Sequence, residues 1–254
     1  IIIALSIAII IVKDPGQRVG GLILAAGLST RMGQSKPLTK FLDNNLIDQT
    51  IKTMYDAGID HIHVVTIEQE RVEAYLQAND LFNRIHTIWN PNYGNGSILT
   101  SIKTGLPQLK EFDYVFIQLV DLPCILPETY QKLWETMLAS GKKAVIPTVD
   151  GRRGHPVLID MSLLPEILSY EMLGGGGLRG FWKLLGDEFL EVPVTELRQR
   201  YGYGYEGTAE GSRKVSDTTQ ECREYRTQSR CQLALTRITH QISRAFELSS
   251  SGAE

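Results

Sequence analysis

The run Leu24-Ala25-Ala26-Gly27-Leu28-Ser29-Thr30-Arg31-Met32-Gly33-Gln34-Ser35-Lys36 follows an apolar stretch, Val19-Gly20-Gly21-Leu22-Ile23, and has the residue types of a phosphate site. Small residues at a strand exit let a ligand approach the backbone, because no large side chain stands in the way. Consecutive N–H groups in such a turn can face an anion, and Arg31 and Lys36 add mobile positive charge. A nucleoside triphosphate suits that combination. Asp121 stands directly after the apolar run Tyr114 to Val120 and before Leu122-Pro123. A carboxylate placed there can hold Mg2+, which takes a few carboxylates together with phosphate oxygens. The competing reading is a turn residue capping the helix that starts at Pro127.

Other segments carry supporting signals. Asn90-Pro91-Asn92-Tyr93-Gly94-Asn95-Gly96-Ser97 opens a helix whose N-terminus can meet a nucleotide, although ordinary turns use the same residues. Gly151-Arg152-Arg153-Gly154-His155-Pro156 places two arginines and a histidine on a loop held by Gly and Pro, suited to a second anionic substrate. Gly174-Gly175-Gly176-Gly177-Leu178-Arg179-Gly180 reads equally as a flexible turn bearing a cation or as a linker.

Those residues need a scaffold that brings strand ends together. Periodicity predicts strands over residues 19–23, 61–66, 84–89, 114–120 and 143–147, and helices over 46–57, 69–78, 97–106 and 127–139. The alternation predicts an α/β fold, a doubly wound and mostly parallel sheet, with ligands at the carboxyl ends of its strands. Residues 19–225 are the expected main domain. Residues 202–214 read as a mobile loop, and 226–254 as a helical C-terminal extension. Residues 1–18 are set apart, because Ile1 to Val12 is almost wholly apolar. As a helix it spans about 18 Å, too short for a hydrocarbon core of roughly 30 Å. It reads as the remnant of an upstream segment, with a sheet-edge or partner-pairing strand as the alternative.

Composition narrows the partners. The formal charge of −3 over 254 residues offers no basic field for nucleic acid or an anionic membrane. Cys124, Cys222 and Cys231 are too few and too oddly spaced for a disulfide framework or a structural zinc site, which predicts free thiols and a cytoplasmic location.

From about Gly20 to Tyr225 the motifs resemble the molybdenum cofactor nucleotidyltransferases, within the wider GT-A-like, Rossmann-like set. The opening motif has the family's form, and Ala25-Ala26 before Gly27 looks like its cytidylyltransferase branch. Guanylyltransferases tend to carry Ala-Gly-Gly there and an Asp before the lysine, where this chain has Ser35. Asp121-Leu122-Pro123 matches the Asp-x-Pro metal motif, Asn90-Pro91 with Gly96-Ser97 the Asn-Pro…Gly-x-x-Ser region, and Arg153-Gly154-His155-Pro156-Val157 the Arg-Gly-His-Pro signature.

The resemblance implies Mg2+-dependent transfer of a nucleoside monophosphate, CMP from CTP in preference to GMP from GTP, to a phosphate-bearing pterin acceptor. A molybdoenzyme would receive the product. It implies Arg31, Lys36 and Asp121 as catalytic residues. Leu24, Ala25, Ala26, Gly27, Ser29, Asn90, Gly96 and Ser97 would join Arg31 and Lys36 in binding nucleotide. Arg153, Gly154, His155 and Arg179 would face the acceptor, and Asp121 with Asp217 would hold metal. Two departures stand out. The family's Gly-Asp-x-Gly-x-Arg segment aligns with Gly174 to Arg179, where glycine replaces the acid. Its late acidic element is reduced to Val215-Ser216-Asp217-Thr218-Thr219-Gln220-Glu221. The alternatives are a sugar- or polyol-phosphate nucleotidyltransferase and a catalytically weakened cofactor-binding chaperone.

Overall fold

In the computed structural model the described residues are 16–27, 36–41, 43–79, 85–92, 97–149, 151–171 and 177–194. The expectations for residues 1–15 and for the loop and extension beyond 194 lie outside them. In chain order the strands and α-helices are β1 (Val19–Ala25), β2 (Lys40–Phe41), β3 (Asn44–Asn45), α1 (Leu46–Asp56), β4 (Ile62–Thr66), α2 (Gln69–Gln77), β5 (Ile85–Trp89), α3 (Ile98–Gly105), β6 (Tyr114–Leu119), α4 (Pro127–Ser140), β7 (Ala144–Val149), β8 (Arg152–Arg153), β9 (Val157–Asp160), α5 (Leu164–Ser169), α6 (Gly177–Leu185) and β10 (Phe189–Pro193). The predicted strands and helices are found, with small shifts at their ends.

β1 is buried at every position, as a strand covered on both faces must be. Its side chains alternate between two layers. Ile23 and Ala25 pack with Ile51 and Met54 of α1 and with Tyr130 and Leu133 of α4. Leu22, Leu24 and Ala26 pack with Ile102 of α3 and Trp182 of α6. The helices end where chemistry says they should: α4 starts with Pro127 and closes on Gly141, whose φ of 62° is open to glycine at little cost.

The main sheet runs β10-β7-β9-β6-β1-β4-β5, with β8 paired to β7. β6, β1, β4 and β5 are mutually parallel, and β10 is parallel to β7. The mostly parallel α/β sheet is thus present, with β9 reversed against both β6 and β7. From β1 the chain passes through α1 to β4 on one side. From β6 it passes through α4 toward β7 on the other. The crevice at the carboxyl ends of β1 and β6 is therefore the topological switch point, where open α/β sheets bind ligands.

Two readings change. Gly177 to Gly180 belong to a helix, because Leu178, Phe181, Trp182 and Leu185 form an apolar stripe against the second layer. Cys124 is buried and disulfide-bonded, against the expectation of three free thiols. Spacing along a chain does not reveal which sulfurs the fold brings within bridging distance.

α3 lies close on the sheet at Gly105. A Cβ there would stand 2.5 Å from Leu22 Cδ1 and 2.7 Å from Val65 Cγ2, and both side chains are fully buried. Overpacking of this kind costs about 1–3 kcal/mol, against about 1 kcal/mol gained in helix propensity. Gly105→Ala is expected to lower stability in a denaturant melt.

His63 of β4 faces His86 of β5 at a ring separation of 5.0 Å. Its pKa is pushed down from 6.5 to about 4, first by burial and then by His86 and His61. As pH falls, the unfolded chain takes up this proton before the folded one does. The group is neutral in both states near pH 7; it lowers stability progressively from about pH 6.5 to about pH 4, and the full loss remains below that. Thermal melts should lose less stability across that window in His63→Gln than in wild type.

Candidate active site

Asp121 follows β6 on the turn that leads to α4. β6 and β1 run side by side in register to Leu24 and Leu119, and the Val120 N–H donates to the Leu24 carbonyl at 3.2 Å. The N-cap of α4 is Leu126, so Asp121 does not cap that helix. Lys36 comes from the far end of the loop after β1, where its carbonyl accepts from the Thr39 N–H at 3.2 Å. Its Nζ donates to Asp121 Oδ2 at 2.5 Å, and both side chains are 23% exposed. Residues 85 positions apart in sequence thus form a half-buried cation–carboxylate pair.

The pair lies in a cleft of about 370 Å³, lined also by Leu24, Ala26, Gly27, Ser97, Ile98, Ser101, Leu119 and Val120. A Cβ at Gly27 would meet nothing within 4 Å among the described residues. Ala25 alternates to the other layer and packs in the first core cluster. Ser97 lines the cleft and caps α3, its Oγ accepting from the Leu99 N–H at 3.1 Å. Asn90 is fully buried and is not a lining residue. Its Nδ2 donates to Ser101 Oγ at 3.0 Å and its Oδ1 accepts from the Asn92 N–H at 3.0 Å, which fixes the end of β5 to α3. Ser29, Arg31, Gly96 and Asp217 lie outside the described residues.

A second cavity of about 630 Å³ is lined by Val149, Gly151, Arg152, Arg153, Gly154, Arg179 and Glu191. Arg153 is already engaged within it. Its Nε donates to Glu191 Oε1 at 2.7 Å, and its guanidinium lies 4.8 Å from the Phe189 ring centroid. Arg152 and Arg179 have no ion pair among the described residues, so they are the cations open to a ligand.

His155 lines neither cavity; its ring is held against β6. A carbonyl can only accept, so the contact of 3.2 Å between Nδ1 and the Ile117 carbonyl puts the proton on Nδ1 and leaves Nε2 an acceptor. Burial holds the imidazole below its usual pKa, opposed by the Ile117 carbonyl and by the Asp121 carboxylate. The ring is therefore neutral at pH 7, within the electrostatic reach of the first site.

Sequence patterning had not marked Ser101, Ile98 or Glu191. Ser101 was legible, since it stands one helical turn beyond Ser97. Glu191, 38 residues from Arg153, carried no local signal.

A cleft holding a cation and a carboxylate at the switch point of a mostly parallel sheet places the chain among the nucleotide-binding α/β proteins. The profile of the MobA-like NTP transferase domain matches residues 21–189, and the chain belongs to that family. The molybdenum cofactor cytidylyltransferase of Escherichia coli (strain K12) is 29% identical over 148 residues, 58% of this chain and 72% of that protein. The probable molybdenum cofactor guanylyltransferase of Bacillus cereus (strain ATCC 10987 / NRS 248) is 28% identical over 143 residues, 54% of this chain and 65% of that protein. The chain thus spans roughly two thirds of the length of these relatives. A solved structure from Mycobacterium tuberculosis H37Rv, in complex with manganese, has the same fold, with a TM-score of 0.56 and 18% identity over 78% of this chain and 98% of that one.

Proposed function

We propose that this chain transfers CMP from CTP to the phosphate of molybdopterin, with Mg2+ and with release of pyrophosphate, before the product passes to a molybdoenzyme. The contact between Lys36 and Asp121 in the switch-point cleft carries this reading. An acceptor phosphate oxygen attacks the α-phosphorus, the bond to the bridging oxygen breaks, and pyrophosphate leaves with that electron pair. Such a transfer needs positioning and charge neutralisation rather than covalent catalysis. Lys36 neutralises charge at the α-phosphate. Leu24, Ala26 and Gly27 border the nucleotide, with Ser97 and Asn90 holding the opposite wall, and Arg31 serves the β- and γ-phosphates.

Asp121 would hold the metal. A single, partly exposed carboxylate in an open cleft fits Mg2+, which completes its shell with phosphate oxygens and water. Among the described residues no group of three or more His, Cys, Asp or Glu gathers as a self-sufficient metal cage, and Asp217 is the second ligand in this reading. Bound there, the ion supplies Lewis-acid charge neutralisation on the triphosphate.

The acceptor lies in the second cavity, with Arg152 and Arg179 on its anionic groups. Glu191 holds the Arg153 guanidinium in one orientation, Gly154 belongs to the same wall, and His155 stands within the electrostatic reach of Asp121. The preference for CTP rests on the Ala25-Ala26 pair, of which Ala26 borders the cleft. The E. coli relative supports cytidylyl transfer, and the Bacillus relative keeps GTP as the competitor.

Pyrophosphate release with each nucleotide and with molybdopterin or sugar phosphates tests the reading. CTP with molybdopterin is expected to exceed GTP by about tenfold or more in kcat/KM. A preference for GTP overturns the base assignment, and turnover with sugar phosphates alone overturns the acceptor.

A further inference from the structure

We propose that Gln118 positions Asp121, acting through the backbone of the turn that carries it; this rests on the reading of Asp121 as the metal carboxylate. Gln118 shares one face of β6 with Tyr114 and Phe116, and it lies opposite Ile23 of β1. It is fully buried, between the sheet and α4, on a face whose other residues are apolar or aromatic. Periodicity alone calls for an aliphatic residue here, because a buried amide is costly unless it is bonded.

The bonds it makes explain its presence. Gln118 Nε2 donates to the Leu119 carbonyl at 2.9 Å and to the Leu122 carbonyl at 3.3 Å. These two carbonyls flank Val120 and Asp121. The backbone closes the same turn with a long bond, the Leu122 N–H to the Leu119 carbonyl at 3.3 Å. The amide is thus a further tie across the turn, beside the Val120 N–H bond to the Leu24 carbonyl. Carbonyls only accept, so the amide is fixed with its NH2 toward the turn. Gln118 Oε1 is buried with no partner among the described residues, so the bonds shown are those of the donor side. A leucine of similar size would fill the space and leave both carbonyls without this donor.

The test compares wild type, Asp121→Asn, Gln118→Leu and Gln118→Met by Mn2+ titration in the presence of CTP, followed by electron paramagnetic resonance, alongside turnover and thermal melts. The two Gln118 variants are expected to raise the half-saturating Mn2+ concentration about five- to tenfold, the loss of a modest hydrogen-bonded restraint. At saturating metal, KM for CTP should stay within about twofold of wild type. The methionine variant serves if the leucine variant does not fold. Unchanged Mn2+ half-saturation in a folded Gln118 variant overturns the positioning role while leaving Asp121 untouched. Wild-type Mn2+ binding in Asp121→Asn overturns the metal assignment, and the positioning role with it.

Discussion

Asp121→Asn is expected to lower turnover by about 10³-fold or more, with little change in melting temperature. Asparagine keeps the shape and removes only the charge. The carboxylate does not cap α4, and asparagine keeps a side-chain oxygen able to accept from Lys36 Nζ, so the fold is expected to persist. Nucleotide affinity should fall in the presence of Mg2+ and stay nearly constant in EDTA, because the lost interaction is the one mediated by metal. Steady-state pyrophosphate release and nucleotide titrations, each with and without metal, check both statements. Full turnover in a folded Asp121→Asn removes the carboxylate from the mechanism.

Lys36→Met is expected to cost about 10²- to 10³-fold in kcat/KM. The methylene stem keeps most of its packing, while the ammonium group that meets Asp121 is lost. Both side chains are only 23% exposed, so removing the ammonium also leaves a partly buried carboxylate unpaired, and some fall in melting temperature accompanies the loss of activity. In the proposed mechanism both residues serve one reacting phosphate, so the double variant should be scarcely worse than the poorer single variant. If Lys36→Met changes only the melting temperature, the pair is structural.

Much of the scaffold was legible because local patterning and topology agree here. The nearly unbroken apolar run Tyr114 to Val120 could only be a strand covered on both sides, and β6 takes that place. Helix α1 follows its expected span because Leu46, Ile47, Ile51 and Met54 recur on one face. Asp121 and Lys36 were each legible as strand-end chemistry, but no local pattern states that the two side chains touch. That contact comes from parallel pairing of β1 with β6, a relation set by the whole sheet. The reversal of β9 is equally non-local, since Val157 to Asp160 carries no mark of direction.

The second cavity was the least legible part. Arg153 reads in sequence as a free cation on a loop, and in the fold Glu191 and Phe189 engage it. The neighbouring Arg152 and the helical Arg179 take over the exposed positive charge. The glycine run masked α6, whose apolar stripe outweighs the helix cost of Gly180. Asn90 was read as a nucleotide contact, and its amide is bonded within the wall of the cleft.

The fate of the nucleotide's phosphorus atoms tests the central claim most directly. CTP labelled at the α-phosphate, or separately at the γ-phosphate, is incubated with the protein, Mg2+ and molybdopterin, and the products are separated. Nucleotidyl transfer predicts that the α-label enters the pterin product while the γ-label leaves in pyrophosphate, in equal amounts. Appearance of the γ-label on the acceptor, or a pterin product without the α-label, would contradict it.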